Sequence, residues 1–172
     1  RSTGSIKWFQ PIEKLVTDAV GEATLAGAKE FLPTGLSGLD RTLGGLRPTE
    51  LIYIAGSAGA YKTAIAVSLA FNVASLYVQS EGKNGAAVGY SSLGTPTEQI
   101  AARIISMRTS VSHSDLRNGT LSERMRDELK AFNQTLQTLP LFIDGTPALT
   151  MSAIRTRARY LKLQYGLGLF IV

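Results

Sequence analysis

The chain has 172 residues, 44% of them hydrophobic and 18% charged, a balance that suits one soluble globular domain with a core of its own. No apolar run approaches the roughly 20 residues that a membrane-spanning helix needs, and the absence of Cys excludes disulfides and thiolate metal sites and fits a reducing cytoplasm. A net charge of +5 favours anionic partners such as nucleotides or nucleic acid, although the 18 basic residues are spread along the chain and form no single block.

Arg1 and the small polar residues to Ser5 make residues 1–9 read as a disordered or expression-derived end and not as a signal peptide. From Gln10 to about Lys29, Ile12, Leu15, Val16, Ala19 and Val20 fall on one side of a helical pattern with no turn residue before Gly21. This amphipathic segment, residues 10–30, is suited to docking on another subunit or domain. Phe31 to Gly35 reads as extended, and Ser37 to Leu43 as a short helix closed by Gly44 and Gly45. Arg47-Pro48-Thr49-Glu50 turns into a first core strand, Leu51 to Ala55. A glycine-bearing loop then opens into a helix running to about Val78, with Ile65, Leu69 and Val73 at helical spacing.

Gln79 to Gly85 is a loop, and Ala86 to Ser92 a second strand of small and apolar residues. Thr95, Pro96 and Glu98 predict a helix start with Thr95 as the cap, followed by a buried stripe of Ile100, Ile104 and Met107. His113, the single His, sits in a turn leading into a short helix and reads as a surface polar residue. Thr120-Leu121-Ser122-Glu123 has the form of a capping box, opening a helix with Met125, Leu129, Phe132 and Leu136 inward. Leu139 to Asp144 forms a third strand, Thr150 caps a basic helix, and Gly168 to Val172 begins a fourth strand. On the basic helix Arg155, Arg157, Arg159 and Lys162 fall off the apolar positions Ile154, Ala158 and Leu161, which favours a solvated face over a nucleic-acid stripe. Four strands alternating with helices specify an α/β fold, a parallel sheet with helices on both faces.

The loop is Gly56-Ser57-Ala58-Gly59-Ala60-Tyr61-Lys62-Thr63, placed between strand and helix as a Walker A motif requires. In that motif backbone N–H groups at a helix N-terminus wrap the phosphates of a nucleotide, the Lys reaches the outer two, and the Thr hydroxyl binds magnesium. All eight residues are therefore candidates for nucleotide binding, with Lys62 in the catalytic position and Thr63 as the magnesium ligand through the nucleotide. The alternative, that Lys62 and Thr63 are the first turn of an ordinary helix, is disfavoured by the preceding strand and the two glycines. Tyr61 stands where the motif has Gly, so a side chain either points at or deforms a backbone that must approach phosphate closely. Two readings stay open for it, an aromatic covering an empty site and a distorted but occupied one. Ser91 and Ser92 end the second strand where a doubly wound sheet places its ligand.

Beyond these residues the chain resembles the RecA-like motor domain of the DnaB family of replicative DNA helicases. Pro33-Thr34-Gly35-Leu36-Ser37-Gly38-Leu39-Asp40 with Gly44-Gly45-Leu46 is similar to the segment before that family's Walker A motif, and is shared with clock-type and recombinase-type RecA-like ATPases. The later half narrows the resemblance: Ser92-Leu93, Glu98-Gln99-Ile100, Arg103-Ile104-Ile105-Ser106, Leu116-Arg117-Asn118-Gly119, Leu139 to Asp144, and Ile154 to Arg159 occur in the family's order. It covers about Pro11 to Val172. The resemblance implies a linker helix at residues 10–30 that packs on a neighbouring subunit and a partial RecA-like P-loop ATPase domain at 31–172. It also implies ATP and magnesium as cofactors, single-stranded DNA as ligand, assembly as a homo-oligomer, a hexamer, and primase or loader partners. A cytoplasmic location and no membrane follow.

By the same resemblance the Walker B aspartate follows the strand matched by Leu169 to Val172, so the motor is expected to be truncated before it, and Asp144 only mimics it. Gly94 occupies the position where the family carries a glutamate that polarises the attacking water. Loss of such a group commonly costs ~100-fold to ~10,000-fold in rate. Two functions therefore compete: an ATP-driven motor of a hexameric helicase, and a helicase-derived subunit or scaffold that keeps the fold without efficient hydrolysis because of Tyr61 and Gly94.

Overall fold

A computed structural model describes residues 31–172 together with Ile12 and Val16. The linker helix expected at 10–30 lies, those two positions apart, outside the described residues, as does the end expected at 1–9. Leu32–Val172 forms one compact unit. Its elements are α1 (Ser37–Leu43), α2 (Lys62–Gln79), β1 (Ala87–Ser91), α3 (Thr97–Arg108), α4 (His113–Asn118), α5 (Glu123–Thr138), β2 (Leu141–Asp144), α6 (Met151–Tyr165) and β3 (Leu167–Ile171).

The three strands pair in parallel in the order β2-β1-β3. Val88 lies opposite Leu141 and Leu169, and Gly89 opposite Phe142 and Phe170. Alternation then sorts the side chains. Val88, Tyr90, Leu141, Ile143, Leu169 and Ile171 meet α2 through Val67, Phe71 and Ala74, α3 through Ile100 and Ile104, and α5 through Phe132 and Leu136. Val67, Val73, Val88 and Ile100 are at most 1% exposed, and burying side chains of that size stabilises a fold by about 1.5–3 kcal/mol each. Gly89 faces the opposite side, where a Cβ would stand 2.6 Å from the Phe170 ring and 2.8 Å from Leu161 of α6. Glycine at the middle of the central strand is what lets α6 lie close to the sheet. Helices thus cover both faces, as the sequence predicts.

Among the described residues three strands form where four are expected. Leu51 to Ala55, the predicted first strand, joins no ladder, and its residues lie open: Leu51 is 76% and Tyr53 82% exposed. A strand is held by ladder partners on its flanks, and this run has none among the described residues. Upstream, Leu32 and Leu46 exchange backbone hydrogen bonds of 2.7 and 2.9 Å as an isolated antiparallel bridge. Buried Thr34 donates its hydroxyl to Asp40 Oδ1 at 2.7 Å and its N–H to the same oxygen at 2.8 Å. A Cβ on Gly35 would stand 2.6 Å from Asn72 Cβ, so this segment packs directly on α2.

The helix starts shift by small amounts. Thr95 is not the cap of α3; Pro96 holds that position without a side-chain bond, and Ser92 donates to the Thr95 carbonyl at 2.6 Å. In α5 the cap is Ser122, whose hydroxyl accepts from Met125 N–H, while Thr120 turns back to donate to Asp115. Thr150 caps α6 as expected, accepting from Ala153 N–H at 3.2 Å. Ile154 of α6 is buried, and Arg155, Arg159 and Lys162 are exposed, but Arg157 leaves that solvated face and pairs with Asp144. His113 is exposed at the start of α4.

Candidate functional site

Each feature of the loop from Gly56 to Thr63 has a local cause. Ala60 N–H bonds the Ser57 carbonyl at 3.2 Å and closes a tight turn. Gly59 follows the left-handed path at φ 79°, where only Gly is free of cost. Tyr61 is also left-handed, at φ 56° and ψ 22°, and is the N-cap of α2. Its carbonyl accepts the first helical bond, from Ile65 N–H at 3.0 Å, so its backbone sets the direction in which Lys62 and Thr63 leave the loop.

Lys62 opens the helix and bends back over the loop, its Nζ 2.9 Å from both the Gly56 and the Ser57 carbonyl. A helix of 18 residues presents its positive end here, and no acidic residue stands in its first turn to offset it. Gly56 through Tyr61 are exposed, and Lys62 and Thr63 half-buried. The loop is therefore open, set at the positive end of a helix with one ammonium folded across it, chemistry that suits an oxyanion.

Tyr61 is 79% exposed, and its backbone takes the left-handed conformation that Gly would take. Gly therefore suits this position because of its φ, and a non-glycine residue carries about 1–2 kcal/mol of strain there.

Gly94 is exposed, and a Cβ built on it meets nothing within 4 Å. Space for a longer side chain is present at that position. The ends of β1 and β2 lie side by side, with Ser92 N–H bonded to the Asp144 carbonyl at 2.7 Å. Asp144 is committed locally: Oδ1 accepts from Thr146 N–H at 2.9 Å and from the Thr146 hydroxyl at 2.7 Å, and Oδ2 pairs with Arg157. Ser91 is buried with its hydroxyl unpartnered, and Ser92 directs its own to Thr95. Among the described residues no three His, Cys, Asp or Glu side chains gather as a metal site.

A second concavity of about 390 Å³ lies between the sheet and α6, lined by Phe142, Phe170, Tyr160 and Leu161 with the Arg157–Asp144 pair. It is apolar and its one charged pair is already matched, so it does not suit a phosphate. Among the described residues three titrating groups depart from their ordinary values. Burial raises the Tyr90 phenol, partly offset by the charge of Arg103. Hydrogen bonds from Ser112 hold Asp115 below the usual carboxylate value, and hydrogen bonds from Ser110 do the same for Glu128.

Sequence reasoning missed the Arg157–Asp144 pair, the Thr34–Asp40 tie and the left-handed Tyr61. The first two join residues that periodicity does not relate. The third was missed because the motif Gly was read for close approach to a ligand, although such a Gly signals positive φ as readily.

A family model of the DnaB-like helicase C-terminal domain matches residues 32–172. The chain belongs to this family. The replicative DNA helicase DnaB of Rickettsia typhi is 38% identical over 144 residues, covering 82% of this chain and 29% of that protein. The replicative DNA helicase DnaC of Bacillus subtilis is 32% identical over 141 residues, covering 82% of this chain and 30% of that one. The chain thus spans under a third of the length of these curated relatives. Among solved structures, an ATPase domain superposes with a TM-score of 0.73 at 21% identity, over 99% of this chain and 56% of that one. The α/β, RecA-like fold read from the sequence is the fold of that domain. No described helix is long and apolar enough to cross a membrane.

Proposed function

We propose that this chain is the nucleotide-binding part of the motor domain of a replicative DNA helicase, holding ATP at Gly56–Thr63. One observation carries the reading: Lys62 and Thr63 open an 18-residue helix directly behind a loop held open at two left-handed residues, Gly59 and Tyr61. The residues fit the cofactor. Backbone N–H groups and the helix end would surround phosphate oxygens, the Lys62 ammonium would exchange the Gly56 and Ser57 carbonyls for the outer phosphates, and the Thr63 hydroxyl would hold magnesium. Bound magnesium supplies charge neutralisation for phosphoryl transfer. Asp144 takes no part, because both of its oxygens are engaged.

The wider reading is a homo-hexamer that works on single-stranded DNA in the cytoplasm, with primase or a loader as partner and residues 10–30 as the linker between subunits. It is supported by the family and by the relatives' names. We keep the motor over the non-hydrolysing scaffold. Position 94 lacks the expected carboxylate, yet the open space around it leaves room for an acid supplied there.

Fluorescence titration with ATP, with and without magnesium, tests the site. Lys62→Ala is expected to weaken binding about 10-fold to 100-fold, the worth of a charge-assisted hydrogen bond. Failure of the unmodified chain to bind ATP at all overturns the reading. In the full-length protein, DNA-stimulated hydrolysis tests the motor, and Gly94→Glu is expected to raise turnover.

A further inference from the structure

We propose that Tyr61 is a positioning residue that sets the phosphate loop through its backbone and not through its ring. The inference rests on the nucleotide-site reading above and adds a determinant of affinity to it. Three observations meet at this residue. Its φ of 56° lies where side chains with a Cβ are strained. The residue is 79% exposed. Its carbonyl accepts from Ile65 N–H at 3.0 Å and so begins α2, fixing where Lys62 and Thr63 stand.

A rotation of φ to the ordinary negative range would leave that carbonyl in the helix but turn Gly56–Ala60 relative to α2, carrying Lys62 away from the Gly56 and Ser57 carbonyls it now bridges. The loop is therefore a two-state element in which only the left-handed state presents Lys62 and Thr63 together. Apparent nucleotide affinity scales with the fraction of molecules in the competent state. That fraction is set by how well residue 61 tolerates left-handed backbone. Gly tolerates it freely and Asn well; Tyr and Phe do so at some cost, and a β-branched residue at the greatest.

The test is a series at one position, Tyr61→Gly, Tyr61→Asn, Tyr61→Phe and Tyr61→Val, measured in the whole chain. Each variant is titrated with a fluorescent ADP analogue, and its thermal unfolding is followed without nucleotide. Affinity is expected to stay within about threefold for Gly, Asn and Phe and to fall roughly 5-fold to 30-fold for Val, the span that a left-handed penalty of this kind produces. Melting temperature is expected to rise for Gly and Asn. Retention of affinity by Phe with a tenfold loss in Gly and Asn overturns the proposal, because the ring would then be the contact. Equal affinity in all variants, Val included, overturns it as well. The Lys62→Ala control separates the two failures: if no variant binds nucleotide, the site reading fails, while the melting order still reports whether Tyr61 is held left-handed.

Discussion

Leu51–Ala55 and β1 are two apolar runs of five residues, and they end in opposite conditions. β1 is buried along its whole length, with β2 on one side and β3 on the other. Leu51–Ala55 has the stronger β-forming composition, with Ile52, Tyr53 and Ile54, yet it pairs with nothing among the described residues and Tyr53 is 82% exposed. Propensity describes fit to a pleated, half-buried surface, and the surface has to exist before the fit counts. Alanine, glycine and serine in β1 are poor strand formers individually. They form the central strand because two ladders and the packing of α2 and α6 hold it.

The contrast can be broken most severely by placing a charge in each run. Val88→Asp buries an unpaired carboxylate at a position 0% exposed and is expected to remove several kcal/mol, about 4 or more, enough to unfold the chain. Tyr53→Asp in the open run is expected to stay within about 0.5 kcal/mol by urea denaturation. Comparable losses from the two substitutions would mean that Leu51–Ala55 is covered in solution. Gly89→Ala tests the other face of β1: the added methyl meets Phe170 and Leu161 at 2.6 and 2.8 Å, and a loss of about 1–3 kcal/mol is expected.

Asp40→Ala comes next, and it asks whether a region without ladders is held by side chains instead. Two donors of Thr34 lose their acceptor in a buried place, and about 1–3 kcal/mol should be lost. The smallest effect is acid sensitivity. Asp115 and Glu128 are held below their ordinary values in the folded chain by Ser112 and Ser110. A depressed carboxyl contributes stability above the unfolded value of about 4, and that contribution is lost as pH falls through the lower folded value. Denaturation midpoints measured between about pH 5 and pH 2 should therefore fall less in Ser112→Ala and Ser110→Ala than in the parent.

Where the sequence signal was periodic, the structure follows it in part. Ile100 and Ile104 are buried in α3 and Leu69 and Val73 in α2, and Met125, Leu129, Phe132 and Leu136 are half-buried in α5, but Ile65 and Met107, expected on the buried stripes, lie near the ends of their helices and are 40% and 39% exposed. Thr150 caps α6 as read, but two other caps were legible only to within two residues: α3 is capped at Pro96 without a side-chain bond, and in α5 Ser122, not Thr120, supplies the capping hydroxyl. Arg157 was misread as solvated, since helical spacing does not reveal that Asp144 waits across the sheet end. The loop was identified from residue types, while its φ at Tyr61 had to come from the fold.

The outer side of β3 carries no further strand among the described residues, and its sequence from Leu167 to Ile171 holds no charge. Such an edge is a template for pairing between molecules. The chain's net charge of +5 opposes that pairing by mutual repulsion. Repulsion of this kind is screened within about 10 Å at 0.1 M salt. Dilute buffers are thus expected to keep the molecules apart, and added salt to let this unpaired edge meet a neighbour.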